Sequence, residues 1–281
     1  MIALSGRAFG KASVVLGRQP IAELLALCGD PGEGPPSIEA LNEEADRRAV
    51  RSRSGWPIRF VVSREGQTSS AAAYEGRIWA SGEVATRQHG RGACHDGFNA
   101  FCWLAFPQVR ACLNALQALA LGLRADAGGA FAATPTSGRG RLRDQVTLFD
   151  ESGGLLVTRN RTLASAFHAG DWQTLFVRRR EIWPAEANLL LTGHALHEKL
   201  LNPYKSLCAR VLWIDADPGT PLEQIDQRAA WLLDRALAHV PAGAGLDGLR
   251  PLPVMGVPGW HPANVDPAFY RDPLVFRTRS A

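Results

Sequence analysis

The chain has 281 residues, of which 46% are hydrophobic and 21% are charged, the ordinary balance of a globular protein that buries roughly three quarters of its unfolded surface. The 31 Lys and Arg residues against 27 Asp and Glu give a formal net charge of +4, and nearly all of the basic residues are arginine. Arginine binds phosphate and carboxylate bidentately, so we expect a small anionic ligand as a partner. The arginine runs are not interleaved with aromatic residues, which disfavours a nucleic-acid partner but leaves it as an alternative.

The cysteines and the apolar stretches bear on where the protein works. Five cysteines without CxxC spacing argue against both a disulfide framework and a zinc knuckle, and they predict the reducing cytoplasm as the location. The first residues show no pattern typical of a secretory signal. Polar residues interrupt the most apolar stretch, 101–123, so we predict two buried helices there and no membrane partner.

The first third of the chain alternates helical and extended patterns. Residues 20–28 have an amphipathic helical spacing, and Ser37 is placed to cap a second helix that runs to about residue 49. The sequence WPIRFVVSRE, 56–65, is rich in β-branched and aromatic residues and predicts a strand. Residues 71–87 suggest two short extended pieces around Gly76 and Gly82.

Helical spacing dominates the next segment. It predicts two central helices near 97–122, separated or kinked at Pro107. Residues 124–144 predict a surface loop, and QVTLFDESGGLLVT predicts a hairpin whose first strand is 145–149.

The last third is predicted in the same way. We expect helices near 161–170, 188–201 and 221–240, with a strand within 207–216. The sequence shows no internal repeat and no strong linker. It therefore predicts an α+β fold in which central buried helices pack on a small mixed or antiparallel sheet. An N-terminal helical segment, 1–55, and a main domain, 56–281, would form one continuous globular unit.

His95 and Asp96 stand directly before the first central helix. Adjacent histidine and aspartate can be two ligands of a metal-dependent phosphohydrolase, which needs further ligands elsewhere in the chain. Alternatively, Asp96 is the N-cap of that helix, where a carboxylate contributes about 1 kcal/mol. The two hypotheses are compatible, since a cap at Asp96 would hold His95 at the helix entrance.

Two further polar groups accompany predicted elements. Arg143 and Asp144 precede the predicted strand at 145–149, where the arginine could bind an anion or simply pair with its neighbour. Asp150 and Glu151 are typical turn residues and need no function.

His194 and His197 lie three residues apart in the predicted helix 188–201, so both fall on one face. They could share a divalent metal with a nearby carboxylate such as Glu198, although the order HxxHE is not a zinc-protease motif. The alternative is a structural histidine bonded to a carbonyl, and His197 is the more suitable of the two.

The tail segment GVPGWHPAN contains Trp260, which is costly to expose, and prolines and glycines that stiffen the backbone. We predict an ordered loop over the helix that contains His194. His261 or Asn264 would then reach the polar pocket.

Four runs in the same order carry a resemblance to a known family: TR…HDGFNAFCWLAFP, RDQVTLFDESG, GHALHEKLLNPY and LPVMGVPGWHPANVDPAFY. Over about residues 56–276 the chain resembles an uncharacterised bacterial family known only as domain of unknown function three thousand and twenty-five. The family's pattern has Pro-Thr-Arg where this chain has Ala85, Thr86 and Arg87, and its spacer before the His-Asp pair is shorter. The resemblance brings no activity and implies only that these polar residues belong to the family's signature: Arg87, His95, Asp96, Asn99, Arg143, Asp144, Asp150, His194, Asn202 and Tyr204.

Two hypotheses for the function follow. In the first, the protein is a hydrolase, metal-assisted or not, that acts on a phosphate- or carboxylate-bearing substrate. Its catalytic groups would be His95, Asp96, Arg143, Asp144 and His194. In the second, it is a non-catalytic binding or assembly protein whose polar residues form buried networks and caps. Whether His95, Asp144 and His194 meet in an open pocket, or each have separate backbone partners, separates the two.

Overall fold

The computed structural model describes residues 13–30, 32–63, 70–90, 92–123, 140–238 and 248–277, so most of the loop predicted at 124–144 lies outside the described residues. The helices are α1 (Ser13–Leu16), α2 (Ala22–Cys28), α3 (Ile38–Arg47), α4 (Ala71–Ser81), α5 (Ala93–Ala105), α6 (Pro107–Ala120), α7 (Arg141–Ser152), α8 (Arg161–Ala169), α9 (Trp183–Glu186), α10 (His194–Lys199) and α11 (Leu222–Ala238). The strands are β1 (Arg59–Val62), β2 (Glu83–Thr86), β3 (Gly153–Val157), β4 (Asn188–Leu191), β5 (Cys208–Ile214) and β6 (Arg250–Pro253).

The strands form two small sheets. In the larger one, with order β4-β3-β5-β6, β3 pairs parallel to β5 while the two outer strands run antiparallel to their neighbours. In the smaller one, β1 and β2 pair in parallel. The predicted α+β class with a mixed sheet is confirmed.

The two central helices are buried along most of their length. Phe98, Phe101 and Phe106 are fully buried, and Pro107 occupies the first turn of α6, where its missing N–H costs nothing. Asp226 of α11 caps α6 from outside, since its carboxylate accepts hydrogen bonds from the amides of Gln108 (2.7 Å) and Val109 (2.9 Å). The predicted core helices at 97–122 are confirmed, with the start of α5 four residues earlier.

Two side-chain carboxamides complete the outer edges of strands. Asn42 of α3 donates to the carbonyl of Phe60 (3.0 Å) and accepts from its amide (2.8 Å) on the outer edge of β1. Gln19 does the same for β4, bonding the Leu189 carbonyl (3.3 Å) and the Leu191 amide (2.7 Å). Unpaired edge groups are costly when buried, so a primary amide replaces the missing strand at both places.

Three predicted elements are wrong in type. Residues 71–81 form α4 instead of an extended piece, because Ser70 caps an alanine-rich start by accepting a hydrogen bond from Ala73. Residues 145–149 belong to α7, so the predicted hairpin does not form. There, Val146 and Phe149 face the core at helical spacing while Leu148, which suggested strand alternation, is 38% exposed.

The third of these elements is the predicted helix 188–201, whose first half is β4. A short apolar run such as NLLL suits a buried strand as well as a helix, and pairing with β3 decides between them here. The helix begins only at His194. Within the described ranges, no helix has the length and apolar character that crossing a membrane requires.

Candidate active site

Three helix ends meet at one place and position the two histidines. His95 lies in the first turn of α5, His194 is the first residue of α10, and α10 packs against both α5 and the end of α7. Gly193 permits this approach, because a Cβ there would lie 2.5 Å from the Glu151 carbonyl oxygen. The backbone of α7 therefore touches the start of α10.

A cavity of about 520 Å³ opens beside these helix ends. That volume suits a small organic ligand. Its polar lining comes from α4, α5, α7, α10 and the residues that directly follow β1 and β2. These lining residues are Ser63, Tyr74, Arg87, His95, Asp96, Asn99, Asp150, Glu151 and His194.

The two histidines are in direct contact in this cavity, as predicted. The Nε2 atoms of His95 and His194 are 2.9 Å apart, and the rings meet edge to face. On the far side of each ring, Nδ1 has its own oxygen partner. His95 Nδ1 lies 2.8 Å from a carboxylate oxygen of Glu198, and His194 Nδ1 lies 2.9 Å from the backbone carbonyl of Asp150.

These partners determine where the protons lie. A carbonyl only accepts, so His194 Nδ1 carries a proton, and burial of this ring lowers its pKa well below the ordinary value, with Arg110 and His95 adding to the effect. The neutral His194 therefore offers the lone pair of Nε2. His95 Nε2 must donate to it, and one further proton lies between His95 Nδ1 and Glu198. The pair thus consists of one donor and one acceptor of a proton.

The floor of the cavity is a buried charged network. Arg110 of α6 is 4% exposed and donates to the Asp150 carboxylate and to the Asn99 carbonyl oxygen. Asn99 in turn donates to the Tyr74 hydroxyl (2.8 Å). Burial raises the pKa of the Asp150 carboxyl, against the opposing effects of Arg110 and His95. This network fixes the end of α7 and with it the carbonyl that orients His194.

Arg87 and Asp96 form a second ion pair on the cavity wall. The Asp96 carboxylate accepts from Nε and Nη2 of Arg87, both at 2.7 Å, and from the Arg87 backbone amide at 2.8 Å. The predicted N-cap role of Asp96 is wrong, because α5 begins at Ala93 with Gly92 at the cap position. Gly92 has φ 110°, and a Cβ there would lie 2.4 Å from the Arg87 guanidinium carbon, so this arginine packs over bare backbone.

His197 points away from the cavity. It is fully buried, stacks on Phe98, and lies with Nδ1 3.6 Å from the Cys102 sulfur. Its predicted burial is confirmed, and the Gly193 carbonyl acts on its ring, as predicted for a histidine beside a carbonyl; His194 has a carbonyl partner as well. The two histidines diverge because α10 turns His194 toward α5 and His197 toward the core, so they share no ligand.

Burial of His197 makes a pH-dependent contribution to stability. Burial lowers its pKa from 6.5 to about 3, so as the pH falls below 6.5 the unfolded chain takes up a proton that the folded one does not. We expect the unfolding free energy of the wild type, relative to that of His197→Leu, to fall by about 2 kcal/mol between pH 7 and pH 5. Urea unfolding at both pH values measures it. A difference that does not change with pH would show that His197 titrates alike in both states.

The other sequence-predicted site residues lie elsewhere. Arg143 and Asp144 are in the first turn of α7 and do not line the cavity, because the segment is a helix whose far end, not its start, reaches it; Asp144 is exposed. Asn202 and Tyr204 follow α10 and are exposed as well. The placement predicted for Arg143 and Asp144, at one pocket with the histidines, is wrong, and Asn202 and Tyr204, which the resemblance implied as signature residues, do not line this cavity either.

The tail is ordered, as predicted, and Trp260 is 8% exposed. Asn264 is buried and donates to the carbonyls of Met255 (2.9 Å) and Val257 (2.7 Å), while Arg180 bonds to it from the 180–182 helical turn. His261 accepts a hydrogen bond from Ala263. Neither His261 nor Asn264 lines the cavity, because both are used in local turns, so their predicted contact with it is wrong.

Sequence reasoning missed four participants. Tyr74, Arg110 and Glu151 lie in segments predicted to be an extended piece, a central helix and a turn, so no spacing connected them to the histidines. Glu198 was considered only as a possible metal ligand near His194, whereas it is the partner of His95.

The metal hypothesis receives no geometric support. In the part of the chain that the structure describes, no group of three or more His, Cys, Asp or Glu side chains is arranged to hold a metal ion.

Comparison with known proteins gives a family and no activity. The model of the family described as protein of unknown function (DUF3025) matches residues 58–280. No curated protein and no solved structure matches the chain. The chain therefore belongs to the DUF3025 family.

Proposed function

We propose that the protein is a hydrolase in which His95 and His194 act as an acid and base pair. The observation that carries the proposal is the 2.9 Å contact between their Nε2 atoms inside an open cavity, with Glu198 and the Asp150 carbonyl holding the outer nitrogens. A histidine with only a structural role packs within the fold away from any open space, as His197 does against Phe98 and Cys102. Here, two imidazoles share one proton next to space for a substrate.

The pair can complete a hydrolytic cycle. When substrate and water separate the two Nε2 atoms, neutral His194 accepts a proton from the water through Nε2 as the water oxygen attacks the substrate, and His95 donates its Nε2 proton to the leaving group. The contact closes again once the product leaves. The new bond joins the water oxygen to the substrate, and the broken bond releases the leaving group with its proton. His194 then returns the extra proton to His95 across their direct contact, which restores both rings. Glu198 is a positioning residue that orients His95.

Charge in the cavity bears on the substrate. Both arginines at the site already bind carboxylates, Arg87 with Asp96 and Arg110 with Asp150. Glu151 adds a further negative charge to the lining. Among the described lining residues, a phosphate- or carboxylate-bearing substrate therefore finds its permanent positive charge in the outer face of the Arg87 guanidinium.

The floor of the cavity favours the alternative, in which the protein is a non-catalytic binding or assembly protein and its polar groups are structural. The network of Arg110, Asp150, Asn99 and Tyr74 is mutually satisfied, and such networks fix a single packing arrangement. That explanation covers the floor of the cavity but not the paired histidines above it.

The test is a panel of chromogenic substrates with purified protein: p-nitrophenyl phosphate, p-nitrophenyl acetate, bis-p-nitrophenyl phosphate and alanine peptide p-nitroanilides. Turnover of at least one class is expected, together with ¹⁵N imidazole shifts that show His194 neutral and protonated on Nδ1. Absence of turnover with every class, or a His194 proton on Nε2, would overturn the proposal. In either case the binding alternative is kept.

A further inference from the structure

The smaller sheet has one open edge, and it faces the cavity. Arg59 donates to the Gly82 carbonyl and Ser63 donates to the Thr86 carbonyl, which fixes the parallel ladder with Val61 opposite Ala85. In this register the backbone N–H and C=O groups of Val84 and Thr86 point toward β1, and those of Ala85 point away from β1. Among the described residues Ala85 has no backbone partner on that side, and it lines the cavity.

The same sheet shows which chemistry fits such an edge. On the β1 side, the equivalent outward groups of Phe60 are occupied by the Asn42 carboxamide, one acceptor and one donor in a plane. Gln19 fills the edge of β4 in the same manner. At both of these places a carboxamide fits because it presents a donor and an acceptor at the spacing of a backbone, whereas on the outer edge of β2 the Asp96 carboxylate occupies only the Arg87 N–H and, within the described part of the chain, leaves both groups of Ala85 open.

We propose that the cavity binds its substrate as an extended amide chain that pairs with Ala85, so that the substrate is a short peptide or a peptide-like amide. This inference rests on the proposed hydrolase for the cleavage step and not for the binding step. Ala85 N–H donates to a substrate carbonyl, and Ala85 C=O accepts from a substrate N–H, the pairing of an added β-strand.

Size and charge agree with an uncharged amide. A cavity of about 520 Å³ has room for a few residues, and its guanidinium groups are already paired with carboxylates. In the cleavage step the C–N bond breaks and a C–O bond to water forms. The departing nitrogen takes the His95 proton, and His194 takes the proton that water releases.

The experiment uses N-acetyl-trialanine-N-methylamide and a depsipeptide in which one internal N–H is replaced by oxygen. Binding to the full chain is followed by ¹⁵N–¹H NMR, which also detects any cleavage of the ligand. We expect the Ala85 amide to shift and its hydrogen exchange to slow at least tenfold with peptide. The depsipeptide should bind about tenfold more weakly, the effect of one lost hydrogen bond.

The matched variants are Ala85→Pro, which removes the donor, and Ala85→Ser, which keeps it. Proline is tolerated on an edge strand where the N–H points away from the sheet, so Ala85→Pro should fold. If it does not fold, the comparison of peptide with depsipeptide in the wild-type protein still tests the inference. Peptide binding should weaken about tenfold in Ala85→Pro only. An Ala85 amide that is protected in the free protein, or peptide binding equal in both variants, would overturn the inference. If peptide binds at Ala85 but no substrate in the panel is cleaved, only the proposed hydrolase activity is overturned. If phosphate esters are hydrolysed but the Ala85 amide does not respond to peptide, only the proposed peptide specificity is overturned.

Discussion

Replacement of His95 or His194 by glutamine should lower kcat 10²- to 10⁴-fold for the substrate class that the panel identifies, the usual range for loss of a general acid or base. Glutamine keeps a polar group of similar reach but cannot exchange a proton near neutral pH. Since each histidine depends on the other to restore its proton, the double variant should be little worse than either single one. Steady-state kinetics of the three variants measures this.

The control is His168→Gln, which changes an exposed histidine on α8 that contacts Trp213 outside the cavity. It should keep wild-type kcat, and circular dichroism should show all variants folded. Glu198→Gln should lose activity by a smaller factor than His95→Gln, because Glu198 acts through His95. Additive losses in the double variant would show that the two rings act independently, and the shared-proton mechanism would then be wrong.

The sequence predicted the parts of the fold that depend on long helical patterns. The helices α5, α6 and α11 repeat their apolar residues over three or more turns, and strand β5 has β-branched and aromatic residues in its second half. Shorter segments were ambiguous. VTLF in α7 and NLLL in β4 each fit two secondary structures, and tertiary pairing decided them.

Of the contacts in the candidate site, the sequence predicted the one between His95 and His194 and missed most of the others. His95 and His194 each stand at the start of a helix, and polar residues beside apolar helices indicated that they would meet. Arg110 was predicted only as a polar residue that interrupts an apolar helix, because its position in the helix cannot reveal that α4 and α7 cover it. Asp96 looked like a cap because its residue type suits one, but α5 starts a turn earlier and its carboxylate binds Arg87 instead.

Arg110 is the residue whose loss should destabilise the fold most. Its guanidinium is buried, donates to Asp150 and Asn99, and lies 5.6 Å from the Trp103 ring centre. Arg110→Met keeps most of the volume but leaves the Asp150 carboxylate without its cation, and breaking a buried pair in this way costs about 3–5 kcal/mol. Urea unfolding at pH 7 measures the loss. Arg161→Met is the control, since Arg161 pairs with Asp215 at the exposed surface, where an ion pair contributes about 0–1 kcal/mol.

The unpaired carboxylate, and not the missing contacts of arginine, should account for most of this loss. Asp150→Asn in the Arg110→Met background removes the negative charge while the backbone carbonyl that holds His194 stays in place, so we expect it to recover at least about 1.5 kcal/mol, half of the smaller expected loss. Protonation of Asp150 in acid should also reduce the destabilisation caused by Arg110→Met, because it too removes the negative charge. Burial already raises the pKa of the Asp150 carboxyl, and loss of Arg110 raises it further, so the folded Arg110→Met protein takes up a proton at a higher pH than its unfolded chain does. The destabilisation is therefore fully present above the folded pKa and shrinks as the pH falls through it toward the unfolded value. A loss that is equally large at pH 5 and pH 7, and that Asp150→Asn does not reduce, would mean that packing around Arg110 holds the floor of the cavity and that its charge does not.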